Sequence, residues 1–280
     1  MTLTHRQILD LLAQHGLHPR RALGQNFVAD PNTVRRIARL AGVGEGDRVI
    51  EIGAGLGSLT LALAETGAAV TAVEVDRHLV PILRETVAAS GAAVVEADAL
   101  HLDWDAVLGT AGRSWTLVAN LPYNIATPLV ADLLDQVPAI ATMLVMVQRE
   151  VGERLAAAPG SGAYGAVSVK VAYWATAKVV GRVPANVFVP KPSVESVLVR
   201  IVRRDQPAVD PAIVAPGDLF ELVRAGFGQR RKMLRRSLQG LVSAGAFAAA
   251  GIEPTARAEE LDVMAWGRLA RCRGAQLEQG

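Results

Sequence analysis

Between Asp47 and about Glu150, short β-rich runs alternate with longer stretches of helical spacing, and this alternation constrains the fold more tightly than any other feature of the chain. The β-rich runs are Arg48 to Ile52, Val70 to Val75, Ala93 to Glu96, Thr116 to Ala119 and Met143 to Val147. Leu56 to Glu65, Arg77 to Ala89 and Pro128 to Gln136 separate them with helical periodicity, and Arg149 to Ala157 follows the last run. Each connection is short enough for a right-handed crossover between parallel strands, so the pattern predicts an α/β, Rossmann-like doubly wound sheet. Past the Pro159-Gly160-Ser161-Gly162 breaker, Val167 to Ala175 and Val194 to Val202 are expected to be two further strands, with Asn186 to Ser193 as a Pro-rich loop before the second. Their place at one end suggests an antiparallel finish to the sheet.

Asp205 to Gly217 carries Pro207, Pro211 and Pro216 and reads as a linker. Beyond it, Leu219 to Leu241 and the segments to about Arg271 look wholly helical, with Gly240, Gly245 and Gly251 as breaks. The expected division is therefore residues 1–205 and a small all-helical domain of residues 206–280.

With 280 residues and 51% apolar side chains the chain can bury a substantial core. Its longest apolar stretch, Ala139 to Val147, is interrupted by Thr142 and is too short for a membrane span, and His5, Arg6 and Asp10 stand where a signal peptide would be apolar. A soluble, cytoplasmic protein is expected, and nothing suggests an obligate dimer. The single Cys272 has no second thiol, and the five histidines show no paired ligand spacing, so disulfides, thiolate catalysis and a metal site are not expected. Charge is unevenly distributed. Residues 1–39 hold six Arg against Asp10 and Asp30, and residues 217–240 hold Arg224, Arg230, Arg231, Lys232, Arg235 and Arg236 against Asp218 and Glu221. Since the whole chain carries only +2, these basic segments flank an acidic body, a distribution shared by nucleic-acid binders and by chains with solvated basic helix faces.

The first predicted strand runs into Glu51-Ile-Gly53-Ala-Gly55-Leu-Gly57-Ser-Leu-Thr60, where glycines let the backbone approach a ligand closely. A dinucleotide fingerprint would need its third glycine at position 58, which is Ser58, so the spacing favours S-adenosylmethionine over a nicotinamide dinucleotide. Glu74, at the end of the second strand, is placed for ribose hydroxyls, and Asp98, after the third, for the adenine amine of the cofactor. At the end of the fourth strand stands Asn120-Leu121-Pro122-Tyr123. An exocyclic adenine amine is a poor nucleophile until acceptors hold its hydrogens. The Asn120 side-chain oxygen and the Leu121 carbonyl supply acceptors, Pro122 fixes the turn, and Tyr123 offers a stacking face worth roughly 1 to 3 kcal/mol per base.

With Gly24-Gln25-Asn26-Phe27 before the sheet, Phe188-Val-Pro190-Lys-Pro192-Ser-Val194 after it and Arg224-x-x-Phe227-x-x-Arg230-Arg231-Lys232 in the tail, these motifs occur in one order over residues 20–271. In that order they resemble the ribosomal RNA adenine N6,N6-dimethyltransferases, most closely the type acting on bacterial small-subunit (16S) rRNA. The resemblance implies an S-adenosylmethionine-dependent methyltransferase domain with a helical rRNA-binding domain. It implies that Asn26, Val28, Gly53, Gly55, Glu74, Asp98 and Asn120 bind the cofactor, and that Tyr123 and Phe188 sandwich a flipped adenine. Arg224, Arg230, Arg231, Lys232 and Arg235 would contact RNA. It further implies direct in-line transfer to two adjacent adenosines near the 3′ end of 16S rRNA in the small subunit, by a monomer. Ala54, Val28, Met233 and Arg236 depart from the usual proline, leucine, threonine and asparagine. Alternatives are a large-subunit enzyme of the macrolide-resistance type, which shares the cofactor and base motifs, and a non-catalytic ribosome-assembly factor on the same scaffold.

Overall fold

The computed structural model describes residues 2–20, 23–109, 115–122 and 125–277. The chain divides into two compact units, Met1–Gly152 with Lys178–Val202, and Glu153–Ala177 with Arg203–Gly280. Helix α1 (His5–Gln14) precedes a two-residue strand β1 (Phe27–Val28) and α2 (Pro31–Ala41). Strands and helices then alternate: β2 (Arg48–Ile52), α3 (Ser58–Ala64), β3 (Ala69–Glu74), α4 (Val80–Val87), β4 (Ala93–Glu96), α5 (Trp104–Leu108), β5 (Trp115–Asn120), α6 (Ala126–Gln136) and β6 (Ile140–Gln148). After α7 (Arg149–Leu155) and α8 (Ala166–Trp174) come β7 (Ala175–Val183), β8 (Phe188–Val189) and β9 (Ser196–Arg203).

Among the described residues the main sheet runs β4-β3-β2-β5-β6-β9-β7. β2 pairs in parallel with β3 and β5, β3 with β4, and β5 with β6, whereas β9 pairs antiparallel with β6, from Thr142 opposite Val202 to Gln148 opposite Ser196. The interior strands are apolar along their length because helices cover both faces: Val49, Ile50, Leu117, Val118 and Val145 are fully buried. Helix α2 shows how local sequence sets the boundaries. Asp30 accepts from the Asn32 and Thr33 N–H groups at its start, Pro31 sits where no N–H is needed, and Gly42 closes it with φ 69°.

Three expectations are corrected here. Val167 to Ala175 is not a strand: Ala166–Trp174 is α8, and the strand beside β9 is β7, which begins at Ala175. This run is apolar nearly all round, so period does not distinguish the two states. Packing decides, since Val169 and Tyr173 are buried in the helical unit's core with Leu222 and Trp266, while the Ser168 hydroxyl accepts from the Gly165 N–H and donates to the Arg154 carbonyl. In the same unit α9 (Pro216–Gly228), α10 (Leu234–Ser237), α11 (Ala244–Ala250) and α12 (Val263–Leu277) follow in order. Residues 219–241 are thus not one helix. The N–H groups of Leu234 and Arg235 donate to the carbonyls of Ala256 and Pro254 at 2.8 and 3.0 Å instead of continuing α9. Gly251 ends α11 with φ 65°, but Gly245 lies within that helix and breaks nothing. No described helix is long and apolar enough to cross a membrane.

Candidate active site

The strand order reverses between β2 and β5, with β3 and β4 on one side and β6 on the other, and the crevice at the carboxyl ends of such neighbours is where doubly wound sheets take ligands. The glycine turn after β2 forms one wall. Gly55 has φ 59°, and a Cβ there would lie 2.9 Å from the Phe27 ring, so both backbone conformation and space require glycine. Two acids hold this turn. Glu74 at the end of β3 accepts from the Gly55 N–H at 2.7 Å through Oε2 and from the Asp76 N–H at 2.9 Å through Oε1. Glu51 accepts from the Thr60 hydroxyl at 2.6 Å. Burial pushes the Glu51 carboxyl up to about 8, opposed by the Thr60 hydrogen bond and assisted by the charge of Glu74. Burial likewise raises Glu74, against the lowering effect of the Asp76 and Gly55 N–H groups.

The segment before α2 forms the opposite wall. β1 pairs antiparallel with β8, Phe27 opposite Val189 and Val28 opposite Phe188. Ahead of it, a Cβ on Gly24, with φ 63°, would meet the Pro122 Cβ at 2.8 Å, so this segment lies directly against the turn after β5. Asn120 donates through Nδ2 to the Asn26 carbonyl at 2.9 Å. A carbonyl can only accept, which fixes the amide's orientation and leaves Oδ1 as the acceptor the side chain offers a ligand.

Between these walls is a cavity partly open to solvent, at the carboxyl ends of β2, β3 and β5. Asn26, Val28, Gly53, Gly55, Glu74, Asn120 and Pro122 all line it. The fit to S-adenosylmethionine is good: carboxylate acceptors suit ribose hydroxyls, Phe27, Val28 and Leu79 supply apolar contact, and the buried Ser58 hydroxyl on the wall has no hydrogen-bond partner, as expected of a group kept for a polar ligand.

Other expected site residues lie elsewhere. Asp98 does not line the cavity; its carboxylate accepts from the Leu100 N–H at 3.0 Å and meets His101 Nδ1 at 3.1 Å. Leu121 is buried and its N–H donates to the Met146 carbonyl. Phe188 is 4% exposed, in a core cluster with Val28, Val34 and Leu198. Tyr123 lies outside the described residues. In the helical unit Arg224, Arg231, Lys232 and Arg235 are exposed, whereas Arg230 is tied to Glu259 at 2.8 Å and to the Gly162 carbonyl at 2.7 Å. Among the described residues there is no cluster of three metal-ligating side chains. Sequence reasoning missed Ser58 as a wall residue and Asp76, which binds Gln25 from 51 positions away; the Gly24-Gln25-Asn26-Phe27 motif marked one partner, and no local signal marked the other.

The profile of the family described as ribosomal RNA adenine dimethylase matches residues 16–272. Ribosomal RNA small subunit methyltransferase A of Cutibacterium acnes is 50% identical over 288 residues, spanning 98% of this chain and 93% of its own length. The protein of that name from Bifidobacterium longum is 47% identical over 277 residues, spanning 93% and 90%. The solved structure of the 23S rRNA methyltransferase ErmE superposes with a TM-score of 0.68 at 26% identity, over 89% of this chain and 99% of that one. The chain belongs to the ribosomal RNA adenine dimethylase family.

Proposed function

We propose that this enzyme transfers methyl groups from S-adenosylmethionine to the N6 amines of two adjacent adenosines near the 3′ end of 16S rRNA, forming N6,N6-dimethyladenosine during small-subunit biogenesis. Identities of 50% and 47% to small-subunit enzymes, against 26% to a 23S enzyme, favour the small-subunit substrate. The observation that carries the chemistry is the Asn120 amide, oriented by the Asn26 carbonyl at 2.9 Å.

Gly53, Gly55, Glu74, Asn26 and Val28 would hold the cofactor, whose adenine would have to reach past the cavity's lining for Asp98 to take its amine. When bound, S-adenosylmethionine supplies a methyl group made electrophilic by its positive sulfur. The chain's own contribution is to position and polarise the nucleophile. Asn120 Oδ1 accepts an N6 hydrogen, drawing the nitrogen lone pair out of conjugation with the ring, and the Leu121 carbonyl serves as the second acceptor. The Leu121 N–H, bonded to Met146 at 3.0 Å, and the fixed φ of Pro122 keep that turn rigid. Tyr123 and Phe188 would stack on the target base; because Phe188 is buried, the base must uncover its ring to reach it. No residue has to act as a strong base, since the proton can leave after methylation. Residues 206–280 would form the rRNA-binding domain, through Arg224, Arg231, Lys232 and Arg235, with Arg230 contributing after release from Glu259. The enzyme would act as a cytoplasmic monomer.

The test is methyl transfer from radiolabelled S-adenosylmethionine to unmethylated small subunits and, in parallel, to naked large-subunit rRNA, with mass spectrometry of the nucleosides. Dimethyladenosine in small subunits alone is the expected result; label in large-subunit RNA, or none in either, overturns the assignment.

A further inference from the structure

We propose that Gln25 and Asp76 form a latch that closes residues 23–28 over the cofactor cavity and, through the Asn26 carbonyl, sets the Asn120 side chain, making both positioning residues for methyl transfer. The inference rests on Asn120 being the acceptor for the target amine.

Asp76 is a carboxylate only 5% exposed, just past the end of β3. Gln25 donates to its Oδ2 at 2.8 Å, while Oδ1 accepts from the His78 N–H at 3.1 Å and lies 3.5 Å from the Arg20 guanidinium. The other end of the Gln25 amide accepts from the Arg20 N–H at 2.8 Å. Both ends of one amide are therefore committed, and because a carboxylate can only accept, Nε2 must face Asp76. A hydrogen bond to a charged, largely buried acceptor is stronger than one between neutral groups.

The latch joins two parts of the site. On one side the Asp76 N–H donates to Glu74 at 2.9 Å, and Glu74 accepts from Gly55 at 2.7 Å, which ties the latch to the glycine turn. On the other, the residue next to Gln25 is Asn26, whose carbonyl receives Asn120 Nδ2, and Gly24 packs on Pro122. A continuous chain thus runs from Gly55 through Glu74, Asp76, Gln25 and Asn26 to Asn120, connecting segments 51 and 94 residues apart in sequence. Opening it at Gln25 leaves the strands and the glycine turn in place but frees the carbonyl that orients Asn120.

The experiment compares Gln25→Leu, which removes both amide bonds, Gln25→Asn, one methylene too short to span them, and Asp76→Ala, which removes the acceptor of Gln25, with the parent chain. Unmethylated small subunits and radiolabelled S-adenosylmethionine are the substrates, and amide hydrogen exchange is read in parallel without either. For both Gln25 variants kcat should fall by about tenfold or more with KM for small subunits within about twofold, the pattern of a misplaced nucleophile site. Exchange of residues 23–28 should accelerate by about tenfold while β2 is unchanged, and Asp76→Ala should lower kcat as the Gln25 variants do. Unchanged exchange at residues 23–28, unchanged kcat, or a KM increase with kcat preserved overturns the latch. Absence of turnover by the parent chain refutes the adenine-transfer reading and the positioning role with it, whereas parent turnover that survives in both Gln25 variants refutes the latch alone.

Discussion

Replacing Glu51 by glutamine tests whether the acid beside the glycine turn is held neutral by its surroundings. The side chain is 2% exposed, and burial moves its carboxyl from 4.5 to about 8. The native state therefore binds this proton more tightly than the unfolded chain does. The stabilisation is complete below pH 4.5, falls as pH rises and is fully lost above about 8. At about 1.4 kcal/mol per pH unit across that window, the loss amounts to about 4 to 5 kcal/mol. Glutamine keeps the oxygen that accepts from Thr60 but cannot ionise. Subtracting parent from variant cancels the other titrating groups, so Glu51→Gln should be more stable by about 1 kcal/mol at pH 5 and by about 4 kcal/mol at pH 8. Hydrogen exchange of the buried Val49 and Ile50 amides in β2 reports the sheet-bearing unit and avoids assuming one unfolding transition for two units. A difference that stays within about 1 kcal/mol of constant from pH 5 to 8 refutes the buried neutral acid.

Asn120→Ala should abolish methyl transfer while calorimetry still detects S-adenosylmethionine binding, weakened but measurable; full activity would remove Asn120 from the proposed role. Arg231→Glu with Lys232→Glu should weaken rRNA binding and flatten its salt dependence by about 0.7 to 0.9 in slope per lost phosphate contact, with cofactor affinity unchanged, and an unaltered slope would make these side chains a solvated face. In the helical unit, a Cβ on Gly226 would lie 2.6 Å from the fully buried Trp266 ring, so Gly226→Ala should cost about 1 to 3 kcal/mol in that unit's thermal unfolding; no loss would mean that the ring moves freely.

The parallel core of the sheet was legible because each of its strands is a short apolar run bounded by helical periodicity, and its carboxyl ends drew Gly53, Glu74 and Asn120 to one cavity as the spacing implied. Legibility failed where local pattern is degenerate. Residues 166–174 are apolar nearly all round and become a helix because their surroundings are helical, and residues 229–233 leave the helix because their successors bond to a segment about 20 positions away. Part of the site had the same fate for a different reason. Motif spacing ranks residues along a strand end, but hydrogen bonds between Gln25 and Asp76, or between Asn26 and Asn120, join segments whose proximity exists only after the sheet has formed.

That distinction bears on how the site works. Gly55 and Glu74 are set by the strands that carry them, and their bond closes within one β2-β3 neighbourhood. Asn120 is different: its strand brings it to the cavity, yet its amide is turned by a carbonyl from a segment that precedes the sheet and is pinned to it through β8, Pro122 and Asp76. The same segment carries Asn26 and Val28, so one wall of the cofactor cavity and the acceptor for the target amine are set together. Loosening residues 23–28 should then lower both the rate of transfer and the affinity for S-adenosylmethionine, whereas a perturbation of the glycine turn should lower the affinity more than the rate.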